Sequence, residues 1–204
     1  MESLKIDGLT VQPIFPELEF SLSMQLNAGE IIGISGPSGV GKSVIFKAIA
    51  DLLPHHGEVL LDNQDKNYFT APQWRKKIMI VPAESQWWFE NVGQHFQTID
   101  NKLLSQLGLD KRILSQHIHE ISSGEKQRLA LLRAIQHQPE VLLLDEPTAN
   151  LDEHNSTIIE EFVCDYIKNN KAVLWISHNT QQIKRIAHYM LVVNKHKISI
   201  NQWK

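Results

Sequence analysis

Gly36-Pro37-Ser38-Gly39-Val40-Gly41-Lys42-Ser43 decides how this chain is read. The eight residues fit the pattern G-x-x-x-x-G-K-[ST], in which glycines let the backbone curl into a nest of N–H groups around phosphate oxygens. The flanks agree with it. Ile31-Ile32-Gly33-Ile34 is an apolar run of the kind that makes a buried strand, and Val44 to Ala50 reads as a helix leaving the loop. That helix would aim the positive end of its dipole at the nest. Lys42 brings a mobile positive charge for the β- and γ-phosphates, and the Ser43 hydroxyl suits Mg2+. A glycine-rich turn with an exposed lysine would match the octet alone, but it leaves the strand and the helix unexplained. The stretch predicts binding of a nucleoside triphosphate.

The bulk numbers narrow the class. At 204 residues the chain can bury a substantial core, as one domain or one domain with a small lobe. Its 42% hydrophobic content is ordinary for a soluble globular protein. A net charge of −3 with no basic stretch gives no footing for nucleic acid. Cys164 is the single cysteine, so no intrachain disulfide is expected, which suits the cytosol. Met1-Glu2-Ser3-Leu4-Lys5 lacks the layout of a signal peptide, and no run approaches the roughly 20 apolar residues that span a bilayer. The expectation is a cytoplasmic protein that at most sits against a membrane protein. The ten histidines are scattered, with His55 and His56 expected in a turn between Pro54 and Gly57.

Along the chain, 4–11 and 18–26 alternate apolar and polar positions as half-buried strands do. Asn27 to Glu30 turns the chain into the strand before the glycine loop. Gly57 to Asp62 and Ile78 to Val81 read as further strands, with Asn63-Gln64-Asp65 a turn. From about residue 84 to 135 no strand pattern occurs; Leu103-Leu104-Leu107 and Ile113-Leu114-Ile118 have helical spacing, which predicts an inserted helical lobe. Val141 to Leu144 and Ala172 to Ser177 are continuous apolar strands of the buried parallel type, with a helix over 153–169 between them. Strands alternating with helices predict an α/β domain whose core covers about 1–83 and 136–204.

Two more stretches carry chemistry. Asp145-Glu146 closes the 141–144 strand. Asp145 suits Mg2+ held through a water, and Glu146 suits polarising the water that attacks the γ-phosphorus. Ile121-Ser122-Ser123-Gly124-Glu125-Lys126-Gln127-Arg128 opens with a capping box, Ser122 with Glu125, so a helix starts there.

That string, followed by Leu142-Leu143-Leu144-Asp145-Glu146-Pro147-Thr148, resembles the signature motif and Walker B segment of ABC-type ATPases. The likeness covers essentially the whole chain. It implies a P-loop fold with a mostly parallel core sheet, an N-terminal antiparallel β subdomain and a small helical subdomain. It also implies a head-to-tail homodimer, with ATP and Mg2+ between the P-loop of one copy and Ser122 and Gly124 of the other. By the same resemblance Asp152 is the D-loop aspartate, and His178 is the switch histidine that contacts the γ-phosphate. Three positions depart from the family pattern. Ala83 stands where a Mg2+-ligating glutamine is usual, with Glu84 and Gln86 close by. Ser123 replaces the first signature glycine. Pro13 holds the place of the adenine-stacking aromatic, for which Phe15 is the candidate substitute.

Trp87-Trp88-Phe89 follows a strand, and two adjacent tryptophans cannot both face one core, so at least one is expected near the surface. In transporters of the family this region receives a helix of the membrane subunit, which implies an integral membrane permease as partner. The nearest likeness within the family is to bacterial iron-export ATP-binding subunits of the Fet type. It rests on Gly124 to Arg128, Leu132-Arg133, Pro139, Val141 to Glu146, Leu151 to Asn155 and Ala172 to Trp175. A non-transport regulator with weak hydrolysis is the competing reading, supported by Ala83 and Ser123. Chromosome and DNA-repair ATPases with related motifs would need a long coiled-coil insertion or a basic face, and the sequence has neither.

Overall fold

A computed structural model of the chain describes residues 2–11, 15, 18–149, 151–195 and 197–202. It opens with β1 (Glu2–Thr10), β2 (Leu22–Asn27), β3 (Ile31–Ser35), α1 (Lys42–Ile49), β4 (His56–Leu61) and β5 (Gln64–Asp65). Next come α2 (Ala71–Lys77), β6 (Ile78–Val81), α3 (Asn101–Gln106) and α4 (Ser123–Ile135). The chain finishes with β7 (Val141–Asp145), α5 (Glu153–Ile167), β8 (Ala172–Ile176), α6 (Thr180–Ile186), β9 (Tyr189–Val193) and β10 (Ile198–Gln202).

The central sheet has the order β10-β9-β3-β8-β7-β6, and all its pairings are parallel except β10 on β9. Both faces are covered, which is why its strands read as unbroken apolar runs. Alternate residues serve two different cores. Ala172, Leu174 and Ile176 of β8 join α1, α2 and the second sheet, while Val173 and Trp175 join α4, α5 and α6. Each fully buried aliphatic side chain here contributes about 1.5–3 kcal/mol. Gly33 of β3 lets α6 lie directly on the sheet: a Cβ there would stand 2.1 Å from Cγ2 of Ile183.

The second sheet is antiparallel, in the order β2-β1-β4-β5. Asp62 and Asn63 turn β4 into β5 with φ of 48° and 60°, the left-handed pair that a tight hairpin needs. The turn therefore lies one residue earlier than the sequence suggests, and His56 belongs to β4 rather than to a turn. The 18–26 strand is also shorter than its pattern. Leu18 and Phe20 are buried, but the ladder begins only at Leu22, because the first two instead pack beside Gly41 at the end of the glycine loop.

Between β6 and β7 the chain forms α3, short 3-10 turns and α4, with one isolated bridge between Asn91 and His117. The 113–118 segment is not an α-helix. A single 3-10 turn over Lys111–Ser115, capped by Asp110, ends at Gln116 in extended backbone. Cys164 is half-buried. Among the described residues no helix is long and apolar enough to cross a membrane.

Candidate functional site

The glycine loop spans the gap between β3 and α1, at the carboxyl end of the sheet, where β3 lies between β8 and β9. Gly41 caps α1 with φ of 97° and no side chain, so the first N–H groups of the helix are left open to an anion. Gly36 passes so close to β9 that a Cβ would meet the Val193 carbonyl oxygen at 2.3 Å. Lys42 is 6% exposed, and its Nζ donates to the carbonyls of Gly36 and Pro37 at 2.8 and 2.9 Å. Burial holds the Lys42 pKa below its ordinary value, against the pull of the Glu146 and then the Asp145 carboxylate. The fold has therefore brought both acids of β7's end within electrostatic range of the loop. Pro37, Ser38 and Gly39 are exposed on the loop, Val40 is buried, and Ser43 is exposed.

Glu146 has φ of 49°, an uncommon left-handed conformation for a residue with a side chain. Its N–H donates to the Ile176 carbonyl at 3.1 Å, which clamps the residue against β8. In that position its Oε1 lies 2.9 Å from Nε2 of His178. Asp145 is half-buried beside it. Nothing between residues 146 and 178 in the sequence requires this contact; adjacent parallel strands create it.

The capping box at α4 is present in full. Ser122 accepts the Glu125 N–H at 3.2 Å, and the Glu125 carboxylate takes the Ser122 N–H at 2.8 Å and its hydroxyl at 2.7 Å. These bonds hold the Glu125 pKa down, the Ser122 hydroxyl bond first. Gly124 packs on the loop before α5: a Cβ there would lie 3.0 Å from Leu151 Cδ2. Asp152 caps α5, accepting from the Asn155 N–H and side-chain amide at 2.8 Å each. One chain thus keeps the glycine loop, Asp145, Glu146 and His178 together, with Gly124 and Asp152 grouped around Leu151. Phe15 is half-buried against the core next to the stretch that packs on Gly41. Pro13 lies outside the described residues. Ala83, Glu84 and Gln86 are all exposed, and among the described residues no hydrogen bond or ion pair joins any of them to the glycine loop.

Sequence reasoning missed the supports behind the tryptophans. Trp88 is 64% exposed and Phe89 48%, while Trp87 is half-buried. His95, 6% exposed, accepts the N–H groups of both Trp88 and Phe89 at 3.0 Å through Nε2. Its Nδ1 therefore carries the proton and faces the Asn91 and Val92 carbonyls. Arg133 of α4 stacks its guanidinium on Trp87 and Trp88, 4.4 and 4.8 Å from their centroids, and donates to the Gln86 carbonyl. Trp88, Phe89, His95 and Arg133 wall a groove of about 440 Å³ that also includes Pro82, Phe96 and Ala130. The spacing of His95 and Arg133 carries no signal for this, because they sit on different elements.

Fold and constellation together define a P-loop ATPase. The ABC transporter family profile matches residues 20–149, and the chain belongs to that family, as an ATP-binding subunit of ABC transporters. Such subunits are ATPases. The chain is 34% identical over 177 residues to the "Probable iron export ATP-binding protein FetA" of Escherichia coli (strain K12), covering 80% of this chain and 79% of that one. It is 30% identical over 195 residues to the "Phosphate import ATP-binding protein PstB" of Saccharolobus solfataricus, covering 83% and 76%. Among solved structures, cbiO1 from Clostridium perfringens, part of the transporter complex cbiONQ, superposes with a TM-score of 0.84 at 23% identity over 100% of this chain and 89% of that one. A bacterial Atm1-family exporter with ATP bound gives 0.85 at 22% identity, over 97% of this chain and 38% of the longer exporter chain. Both structural likenesses concern the fold.

Proposed function

We propose that this chain is a motor subunit that closes as a head-to-tail homodimer around two ATP molecules and drives a separate membrane permease. The observation that carries it is the Glu146–His178 contact beside an uncapped helix N-terminus and a buried lysine. The phosphates of ATP would bind the N–H groups of Gly36 to Ser43, and Lys42 would exchange its two carbonyls for β- and γ-phosphate oxygens. Phe15 is the residue offered for the adenine. Ser43 and Asp145 would hold Mg2+, a pair whose oxygen donors suit that ion. The ion would supply charge neutralisation at the phosphates.

Glu146 would orient and polarise the attacking water, taking its proton as the bond to the γ-phosphorus forms and the bond from that phosphorus to the bridging oxygen breaks, releasing ADP and phosphate. His178 would hold that carboxylate in place and donate toward the γ-phosphate. Across the dimer, Ser122 and the N–H groups at the start of α4 would face the γ-phosphate held by the second copy, with Asp152 shaping the interface. The Ser122 hydroxyl has to turn from Glu125 to do so, which makes closure responsive to the phosphate. Each composite site then needs both copies, so the dimer's closure depends on nucleotide.

The groove beside Trp88 and Phe89 is the docking surface offered to a permease helix, since exposed aromatics concentrate at interfaces. Docking there would hold the subunit at the cytoplasmic face of the membrane. Export of iron or a related metal is the cargo supported by the 34% likeness to FetA. The likeness to a phosphate importer leaves cargo and direction to the permease. A regulator with weak hydrolysis is the second reading, favoured by the lack, among the described residues, of a hydrogen bond or ion pair from Glu84 or Gln86 to the glycine loop.

Glu146→Gln tests the motor. With ATP and Mg2+ the variant should elute as a stable dimer and hydrolyse at least about a hundredfold more slowly than wild type. Hydrolysis at the wild-type rate sinks the assignment of Glu146. Co-purification of the wild type from membranes identifies the partner, and one without membrane spans overturns the transport reading.

A further inference from the structure

Beyond the end of the sheet, the loops that carry Glu146 and His178 are joined by one buried side chain. Gln182, in the first turn of α6, is 3% exposed. Its Nε2 donates to Glu160 Oε1 at 2.8 Å and lies 2.9 Å from Thr148 Oγ1. Its Oε1 accepts the Ser177 hydroxyl at 2.9 Å. Thr148 follows Glu146 by two residues, and Ser177 immediately precedes His178. Glu160 lies on α5 and is 5% exposed. Arg185 grips its carboxylate with two bonds, of 2.9 and 2.8 Å.

The chemistry allows only one orientation of the amide. The ionised Glu160 carboxylate accepts and cannot donate, so Nε2 must face it, and Oε1 is left to face Ser177. The buried charge is paired and its acceptors are used, so the network is satisfied rather than costly. It is also well placed. The ladder between β7 and β8 ends at Asp145 opposite Ile176, and among the described residues the Glu146 N–H bond to Ile176 is the last backbone tie between the two loops. Past that point Gln182 bonds to Thr148 of one loop and Ser177 of the other.

We propose that Gln182 is a positioning residue for ATP hydrolysis: anchored by Glu160, it holds the Glu146 loop and the His178 loop in register. The proposal rests on the reading of Glu146 and His178 as the catalytic pair. A misplacement of about 1 Å in such a pair costs up to about a hundredfold in rate. Nucleotide affinity resides in the glycine loop after β3, to which Gln182 makes no hydrogen bond among the described residues, and should not feel the change.

The test uses the full chain with Gln182→Leu, which keeps the volume and removes the bonds. ATP turnover should fall about 10- to 100-fold while the KM for ATP stays within about twofold. The double variant Glu160→Gln with Gln182→Glu exchanges the two groups. The amide placed at 160 donates to the carboxylate placed at 182, which accepts from Thr148 and Ser177, and Arg185 keeps one bond, to the amide carbonyl at 160. The double variant should regain part of the turnover and exceed Gln182→Leu. If Gln182→Leu is insoluble, Thr148→Val cuts the same link and is read in the same way. Unchanged turnover overturns the proposal, and so does a melting temperature that the exchange restores without restoring turnover. Glu146→Gln, run alongside, separates the two readings. Wild-type hydrolysis by that variant means the catalytic pair was misassigned, whereas an inactive Glu146→Gln beside a fully active Gln182→Leu removes only the positioning role.

Discussion

The guanidinium carbon of Arg133 stands 4.4 Å from the ring centroid of Trp87, which fastens helix α4 to the aromatic loop after β6. The helix that begins at Ser122 thus ends against the groove where Trp88 is exposed. In the proposed closure on ATP, movement of its N-terminus would have a rigid path to that groove. Arg133→Ala removes two cation–π contacts and the bond to the Gln86 carbonyl. We expect a stability loss of about 1–3 kcal/mol by denaturant unfolding, with ATP affinity of the isolated subunit unchanged. Coupling of ATPase rate to the permease should be lost. Arg133→Lys should not rescue it, because an ammonium cannot stack between two indoles as a planar fork does.

His178 meets the only carboxylate that the proposed mechanism uses as a base. His178→Ala should lower turnover about 10²- to 10⁴-fold and leave ATP binding within about twofold, read by nucleotide titration against steady-state hydrolysis. Lys42→Ala should do the reverse, raising the dissociation constant for ATP.

His95 predicts a pH dependence. Burial, first of all, keeps its pKa below the ordinary 6.5, and Arg133 adds to this. Protonating Nε2 would displace the N–H groups of Trp88 and Phe89. A histidine whose folded pKa is depressed contributes stability that is present above 6.5 and lost as pH falls through the folded value. His55 is lowered by burial as well and adds a loss of the same sign. The melting temperature should therefore drop between about pH 7 and about pH 5. His95→Gln, whose amide oxygen still accepts an N–H, should show a smaller drop, with His55 supplying the rest.

Ala83 separates the motor from the regulator. Ala83→Gln supplies the side chain usual at that position in the family. A motor whose Mg2+ is served by water in that place should change its ATPase rate by less than about threefold. A gain of about tenfold or more would assign the wild type to the weakly hydrolysing reading.

Much of this was legible one residue at a time. Continuous apolar runs at 31–34, 141–144 and 172–177 became β3, β7 and β8 because a sheet covered on both faces needs no polar alternation. The capping box at Ser122 is local and held. Patterns that depend on a partner misled: 18–20 alternates like a strand yet has no ladder, and 113–118 has helical spacing yet makes one 3-10 turn. The apolar run Tyr189 to Val193 is a strand signal too, and its pairing with β3 closes the loop side of the site.

By itself the sequence determined the ligand class and the fold class, since the glycine octet, the strand before it and the helix after it are contiguous and their physics is local. It also determined that a signature helix starts at Ser122. Only the tertiary structure decided the geometry of the proposed catalytic pair. The left-handed turn at Glu146, its 2.9 Å contact with His178 and the Gln182 link behind them join segments about 30 residues apart. Such contacts follow from strand order and helix packing, which set which loops emerge side by side, and no spacing along the chain encodes them.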